Sequence, residues 1–272
     1  MKKYYTYTVE ELQQKSKIPV TIYPDNQTIF QKIANAMIEV IQENNQKSEA
    51  TLIICPVGPV GQYPFFVERV NQEKIDLKNT WFVNMDEYLI EGDQWMADDH
   101  RLSFRRFMNQ EVYQLIDEKL VMPLEQRIFP DPNHVDHVLA VIEKVGKVDL
   151  VVGGIGINGH IAFNEPDSSL SKEAFLELST RVATIAPETR TANSIGDLQG
   201  ALEEMPMRCV TIGFKEIYQG KRIILGCFRE WHKGVVRRAL CGEESTEFPV
   251  TLLQSHPNIQ LLITDFVAEM GN

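Results

Sequence analysis

Short runs of apolar and β-branched residues alternate along the chain with longer stretches of helical period, the pattern of a parallel sheet with helices on its faces. The first unit runs over 19–23, with Asp25 as a helix cap and Ile29, Ile33, Met37, Val40 and Ile41 recurring on one helical face until the polar stretch 43–46. Apolar strands are expected over 51–55, 80–84, 148–152, 209–213, 222–226 and 260–263, with shorter ones over 127–129 and 180–184. Helices are expected through Phe65, Phe66 and Val70, over 104–116 and 135–145, from Pro187 onward, and over 233–240. No Pro/Gly/Ser-rich linker, fixed-period repeat or low-complexity tract divides the chain. The pattern predicts α/β architecture: a single Rossmann-like, three-layer domain over 1–272 around a mostly parallel central sheet.

A chain of 272 residues buries enough apolar surface to fold without disulfides or a structural metal. Its formal charge of −11, with no basic run, argues against nucleic-acid or membrane partners, because phosphate surfaces are bound by neutralising them with Lys and Arg. Cys55, Cys209, Cys227 and Cys241 are far apart and lack zinc-site spacing, so they are expected to be reduced and mostly buried, with no metal. The opening residues have no apolar leader segment, and no stretch approaches a membrane span, which makes the cytoplasm the expected compartment.

Ligands of open α/β sheets bind outside the carboxyl ends of the strands, so polar residues just after apolar runs are the first candidates for chemistry. Asp86 and Glu87 follow the run at 80–84, where a plain strand end or helix cap is the competing reading. His160 follows the glycine-rich loop at 153–159, with Asn164 and Glu165 close behind. Gly154, Gly156 and Gly159 permit close backbone approach to a ligand, and the loop's N–H groups suit an oxyanion or phosphate. The loop superficially fits the dinucleotide pattern G-x-G-x-x-G, but Pro166 would stop the required helix early, so no nicotinamide cofactor is expected.

The string from Gly154 to Pro166, GIGINGHIAFNEP, resembles a signature of the glucosamine-6-phosphate deaminase/isomerase family. Asn84-Met85-Asp86-Glu87-Tyr88 resembles a second, and two further blocks, from Thr180 through Ser194 and from Leu253 to Pro257, are similar to family segments in the expected order. The resemblance implies a cofactor-free enzyme that opens an amino-sugar 6-phosphate ring, moves a proton from C2, and releases ammonia and a keto-sugar phosphate. It implies Asp86 as the base, His160 as the ring-opening acid/base, and Glu165 with Asn158 orienting the imidazole.

Departures from the family pattern are concentrated where a phosphate would bind. The loop after the second strand reads Val57-Gly58-Pro59-Val60-Gly61, so two hydroxyls of the family motif are valines and Pro59 lacks an N–H. Gly58, Gly61 and Glu87 remain candidate substrate contacts, Ile195 stands in place of an arginine, and Arg208, Arg229 and Lys233 are the candidate cations. Asn158 replaces the usual aspartate, as in the galactosamine-6-phosphate isomerases. Arg181 falls in a segment where some members bind a regulatory sugar phosphate, although the residue alone reads as an exposed strand position. His100, His134, His137, His232 and His256 read as surface or packing residues.

Two alternatives stand beside the enzyme reading. One is a non-catalytic sugar or sugar-phosphate binding protein. The family's sensor-domain relatives carry a DNA-binding segment ahead of the sensor, whereas only a short stretch precedes the first strand here. The other is a 6-phosphogluconolactonase-like hydrolase, whose acidic loop usually differs from Met85-Asp86-Glu87-Tyr88. The expected partner is a small sugar phosphate, and a homo-oligomer stays open.

Overall fold

The computed structural model describes residues 1–269. In chain order its strands are β1 (Val20–Tyr23), β2 (Thr51–Cys55), β3 (Thr80–Asn84), β4 (Asp86–Ile90), β5 (Gln94–Trp95), β6 (Arg127–Ile128), β7 (Leu150–Gly153), β8 (Arg181–Thr184), β9 (Arg208–Thr211), β10 (Ile223–Cys227) and β11 (Ile259–Thr264). The central sheet has the order β1-β11-β10-β7-β2-β3-β6, with every neighbouring pair parallel.

Alternation along the central strands feeds two separate cores. Leu52, Ile54, Val151 and Leu225 pack with Val138, Ile142, Val236 and Leu240 on one face. Ile53, Cys55, Val152 and Ile224 pack with Ile29, Ile33, Met37, Phe66 and Val70 on the other. Both faces are covered by helices, which is why these strands read as unbroken apolar runs. The expected cap at Asp25 is present: its carboxylate accepts from Thr28 N–H and opens the helix Asn26–Gln46.

The expectation of one sheet is incomplete. Strands β5-β4-β9-β8 form a second, antiparallel sheet over a small core that includes Tyr88, Phe163 and Cys209. The stretch after β3, read as a strand end, is itself β4. Met85 alone separates the two strands: its N–H donates to Cys55 O (3.1 Å) and its carbonyl accepts from Ile212 N–H (2.8 Å), passing the chain from one sheet to the other. The helix expected over 104–116 ends at Glu111, and a single 3₁₀ turn, Tyr113–Leu115, follows it. An unexpected helix, Val9–Lys15, is closed by a capping box between Thr8 and Glu11. Cys55, Cys209 and Cys227 are buried and Cys241 is partly buried, all as free thiols. Among the described residues no helix is long and apolar enough to cross a membrane.

Candidate active site

A cleft opens where the carboxyl ends of β2, β3, β7 and β10 meet, the place where connections leave the sheet in opposite directions. Its walls come from the segment after β2 (Val57, Gly58, Pro59), from Asp86, from the glycine loop after β7 (Gly154, Gly156, His160) and from the segment after β10 (Phe228, Arg229).

Asp86 is only 7% exposed, and among the described residues no group donates a hydrogen bond to its carboxylate. Burial, reinforced by the neighbouring Glu87 charge, pushes its pKa up to about 8. A carboxyl group so placed is a far stronger base, once ionised, than one in water.

His160 is fixed by a relay whose orientation can be deduced. Asn158 Nδ2 donates to Glu165 Oε2 (2.7 Å), which turns the amide oxygen toward His160 Nδ1 at 2.8 Å. An amide oxygen can only accept, so Nδ1 carries the ring proton and Nε2 keeps its lone pair. Glu165 is itself anchored by Ala186 N–H on Oε1 (3.1 Å) and Thr189 Oγ1 on Oε2 (3.1 Å). Burial would raise its pKa, but the pull of the adjacent His160 ring and the hydrogen bonds from Asn158 and Thr189 outweigh it, and the net direction is down. The imidazole lies over Gly156, where any Cβ would fall inside the ring.

The structure therefore brings Asp86, His160, Asn158 and Glu165 into one site, with Gly58, Gly154, Gly156 and Arg229 on the cleft wall. It does not bring five other candidates there. Glu87 alternates to the opposite face of β4, is fully buried, and accepts from Phe104 N–H, Arg105 N–H and Ser103 Oγ. Its pKa is raised by burial, against the opposing pull of those N–H groups and Arg105. Arg208 pairs with Leu89, three residues along β4 from Asp86, and forms a salt bridge with Asp93 at 2.8 Å. That offset is roughly 10 Å at strand spacing. Lys233 Nζ turns away to sit 4.0 Å over the Phe266 ring. Gly61 makes room for the Phe30 ring, and Gly159, at φ +85°, makes room for Phe248. Arg181 is not an exposed strand residue: it is half-buried and donates to Asn164 Oδ1 at 2.8 Å.

Sequence reasoning passed over one group and gave another only a surface or packing role. The helix Pro187–Asp197 presents Thr189, Asn193 and Asp197 at intervals of four residues toward the site, and Asn193 Nδ2 donates to Tyr88 Oη at 3.0 Å. That polar stripe was a readable signal. His232 is a buried fastener: its Nδ1 accepts from Phe228 N–H (3.0 Å) and Arg229 N–H (2.8 Å), while Nε2 meets Ile155 O (3.0 Å). Its partners are all backbone, so no side-chain motif announces it.

No family model matches the chain. Among curated proteins, it is 30% identical over 240 residues to a glucosamine-6-phosphate deaminase from Geobacillus sp. (strain WCH70), covering 85% of this chain and 87% of that protein. Among solved structures, a monomeric glucosamine-6-phosphate deaminase superposes with a TM-score of 0.80 at 26% identity, covering 93% of this chain and 100% of that one. A 6-phosphogluconolactonase from Shewanella baltica OS155 superposes with a TM-score of 0.64 at 16% identity, covering 91% and 97%, a likeness of fold alone.

Proposed function

Because this chain belongs to the glucosamine-6-phosphate deaminase family, we propose that it converts an amino-sugar 6-phosphate, glucosamine-6-phosphate or its galactosamine counterpart, into the keto-sugar phosphate and ammonia. The observation that carries the reading is the shared cleft of an unpartnered buried carboxyl group, Asp86, and an imidazole held in one tautomer, His160.

The chemistry assigns these groups distinct tasks. His160 Nε2, bearing the free lone pair, takes the proton of the anomeric hydroxyl and returns one to the ring oxygen, which opens the pyranose. Asp86, as carboxylate, removes the C2 proton from the open chain, giving an enolamine. Protonation at C1 yields the C2 imine, and addition of water there expels ammonia and leaves the ketone. Glu165 and Asn158 keep Nδ1 protonated throughout, so the ring exchanges protons only at Nε2.

The 6-phosphate is assigned to the end of the cleft formed by Val57, Gly58, Gly154 and Arg229. Backbone N–H groups and one guanidinium replace the missing hydroxyls there. The test is ammonia release with parallel detection of the keto-sugar phosphate, using both hexosamine 6-phosphates and their unphosphorylated parents. Turnover of a phosphorylated hexosamine supports the reading. No turnover of any of the four, combined with thermal stabilisation by one of them, supports a non-catalytic binding protein instead.

A further inference from the structure

We propose that Thr189 is a positioning residue for this reaction, its hydroxyl linking the Glu165 carboxylate to the Nδ1–H of His160. The proposal rests on the functional reading above. It starts from distances: Thr189 Oγ1 lies 3.1 Å from His160 Nδ1, 3.1 Å from Glu165 Oε2 and 3.4 Å from Asn158 Nδ2.

A proton count gives the direction of each contact. Nδ1 and Nδ2 both carry hydrogens, so of the three neighbours only Glu165 can accept the single hydroxyl proton. The Thr189 lone pairs are then left facing Nδ1–H and Nδ2–H. The ring proton lies between two acceptors, Asn158 Oδ1 at 2.8 Å and Thr189 Oγ1 at 3.1 Å. Both acceptors are uncharged. Among the described residues, the only carboxylate within 4 Å of Nδ1 is Glu165, whose Oε2 is 3.4 Å away, beyond a good direct hydrogen bond. Polarised by that carboxylate, the hydroxyl carries its influence to the ring.

The site is built for this role. Thr189 is fully buried and sits in the first turn of the helix Pro187–Asp197, and Glu165 Oε1 accepts from Ala186 N–H at the start of that helix. One carboxylate thus docks the helix with one oxygen and receives the threonine with the other, which fixes the hydroxyl relative to the imidazole. A valine fills the same volume without the oxygen.

Thr189→Val and Thr189→Ser are compared for ammonia release from the hexosamine 6-phosphate that the enzyme accepts, alongside ¹⁵N spectra of the His160 ring. The expected result is a kcat about tenfold lower in the valine variant with KM within about twofold, and recovery to within about twofold of wild type in the serine variant. The spectra are expected to show the Nδ1–H tautomer, held by Asn158, in all three proteins, with the Nδ1 resonance displaced from its wild-type position in Thr189→Val alone. An unchanged kcat in Thr189→Val overturns the proposal, as does a serine variant as impaired as the valine one, or a wild-type ring protonated at Nε2. Absence of ammonia release by wild-type protein would count against the functional reading alone, and the ring spectra would then decide the role of Thr189.

Discussion

Asp86 and Glu87 are consecutive residues of one strand with opposite surroundings: the first faces the cleft with no donor among the described residues, and the second faces inward with donors from Ser103, Phe104 and Arg105. Their substitutions should separate activity from stability. Asp86→Asn is expected to abolish turnover and leave the fold intact. Glu87→Ala strands the N–H groups that open the helix Phe104–Glu111 and should cost about 2 to 4 kcal/mol of stability. Urea denaturation of both variants checks this, and a Glu87→Ala protein as stable as wild type would contradict it.

The raised pKa of Asp86 has a defined sign in stability. The native state holds the proton up to about pH 8, whereas the unfolded chain releases it near 3.8, the ordinary value for an aspartate. Ionisation therefore destabilises the native state, and the destabilisation grows as pH rises from about 4 to 8. Asp86→Asn removes it, so the variant should gain stability over wild type progressively across that range, by 1 kcal/mol or more at pH 8. A ¹³C titration of aspartate carboxyl groups should also show one resonance moving near pH 8 in wild type and missing from Asp86→Asn.

His232 runs the other way. Burial holds its pKa down to about 3, with a smaller opposing contribution from the Ile155 carbonyl. A native pKa below the unfolded value of 6.5 gives stability that is complete above pH 6.5 and is lost as pH falls toward 3. Wild-type protein should weaken between pH 6.5 and 4 more steeply than His232→Gln, measured by denaturant midpoints at fixed ionic strength. Parallel pH dependences for the two proteins would remove His232 as the cause.

Arg229 is the only Lys or Arg on the cleft wall among the described residues. Arg229→Gln should raise KM for a hexosamine 6-phosphate about 10-fold to 100-fold while changing kcat little, because a charge-assisted contact to phosphate is worth about 1.5 to 3 kcal/mol. Steady-state kinetics decides it. An unchanged KM would mean that backbone donors alone hold the phosphate.

Legibility followed burial. Strands covered on both faces, such as β2 and β7, appear as solid apolar runs, and the structure places them where the pattern predicts. The second sheet was hidden because β4 pairs with β9 across about 120 residues of chain, and because one residue, Met85, turns the strand into a new sheet. That missing sheet explains the misplaced candidates: without β4 as a strand, the alternation that separates Glu87 from Asp86 cannot be seen, nor the register that carries Arg208 away. The Asn158, His160 and Glu165 cluster was legible because all three lie within eight residues of one loop. Thr189 joins them from a helix that is distant in sequence and docked by Glu165 itself.

The most direct test of the central claim compares ammonia release from glucosamine-6-phosphate and galactosamine-6-phosphate by wild type and by Asp86→Asn at pH 8, with both proteins shown to be folded. The account predicts sustained turnover of at least one substrate by wild type and a kcat reduced by at least about a thousandfold in the variant. Turnover by Asp86→Asn at the wild-type rate would contradict it.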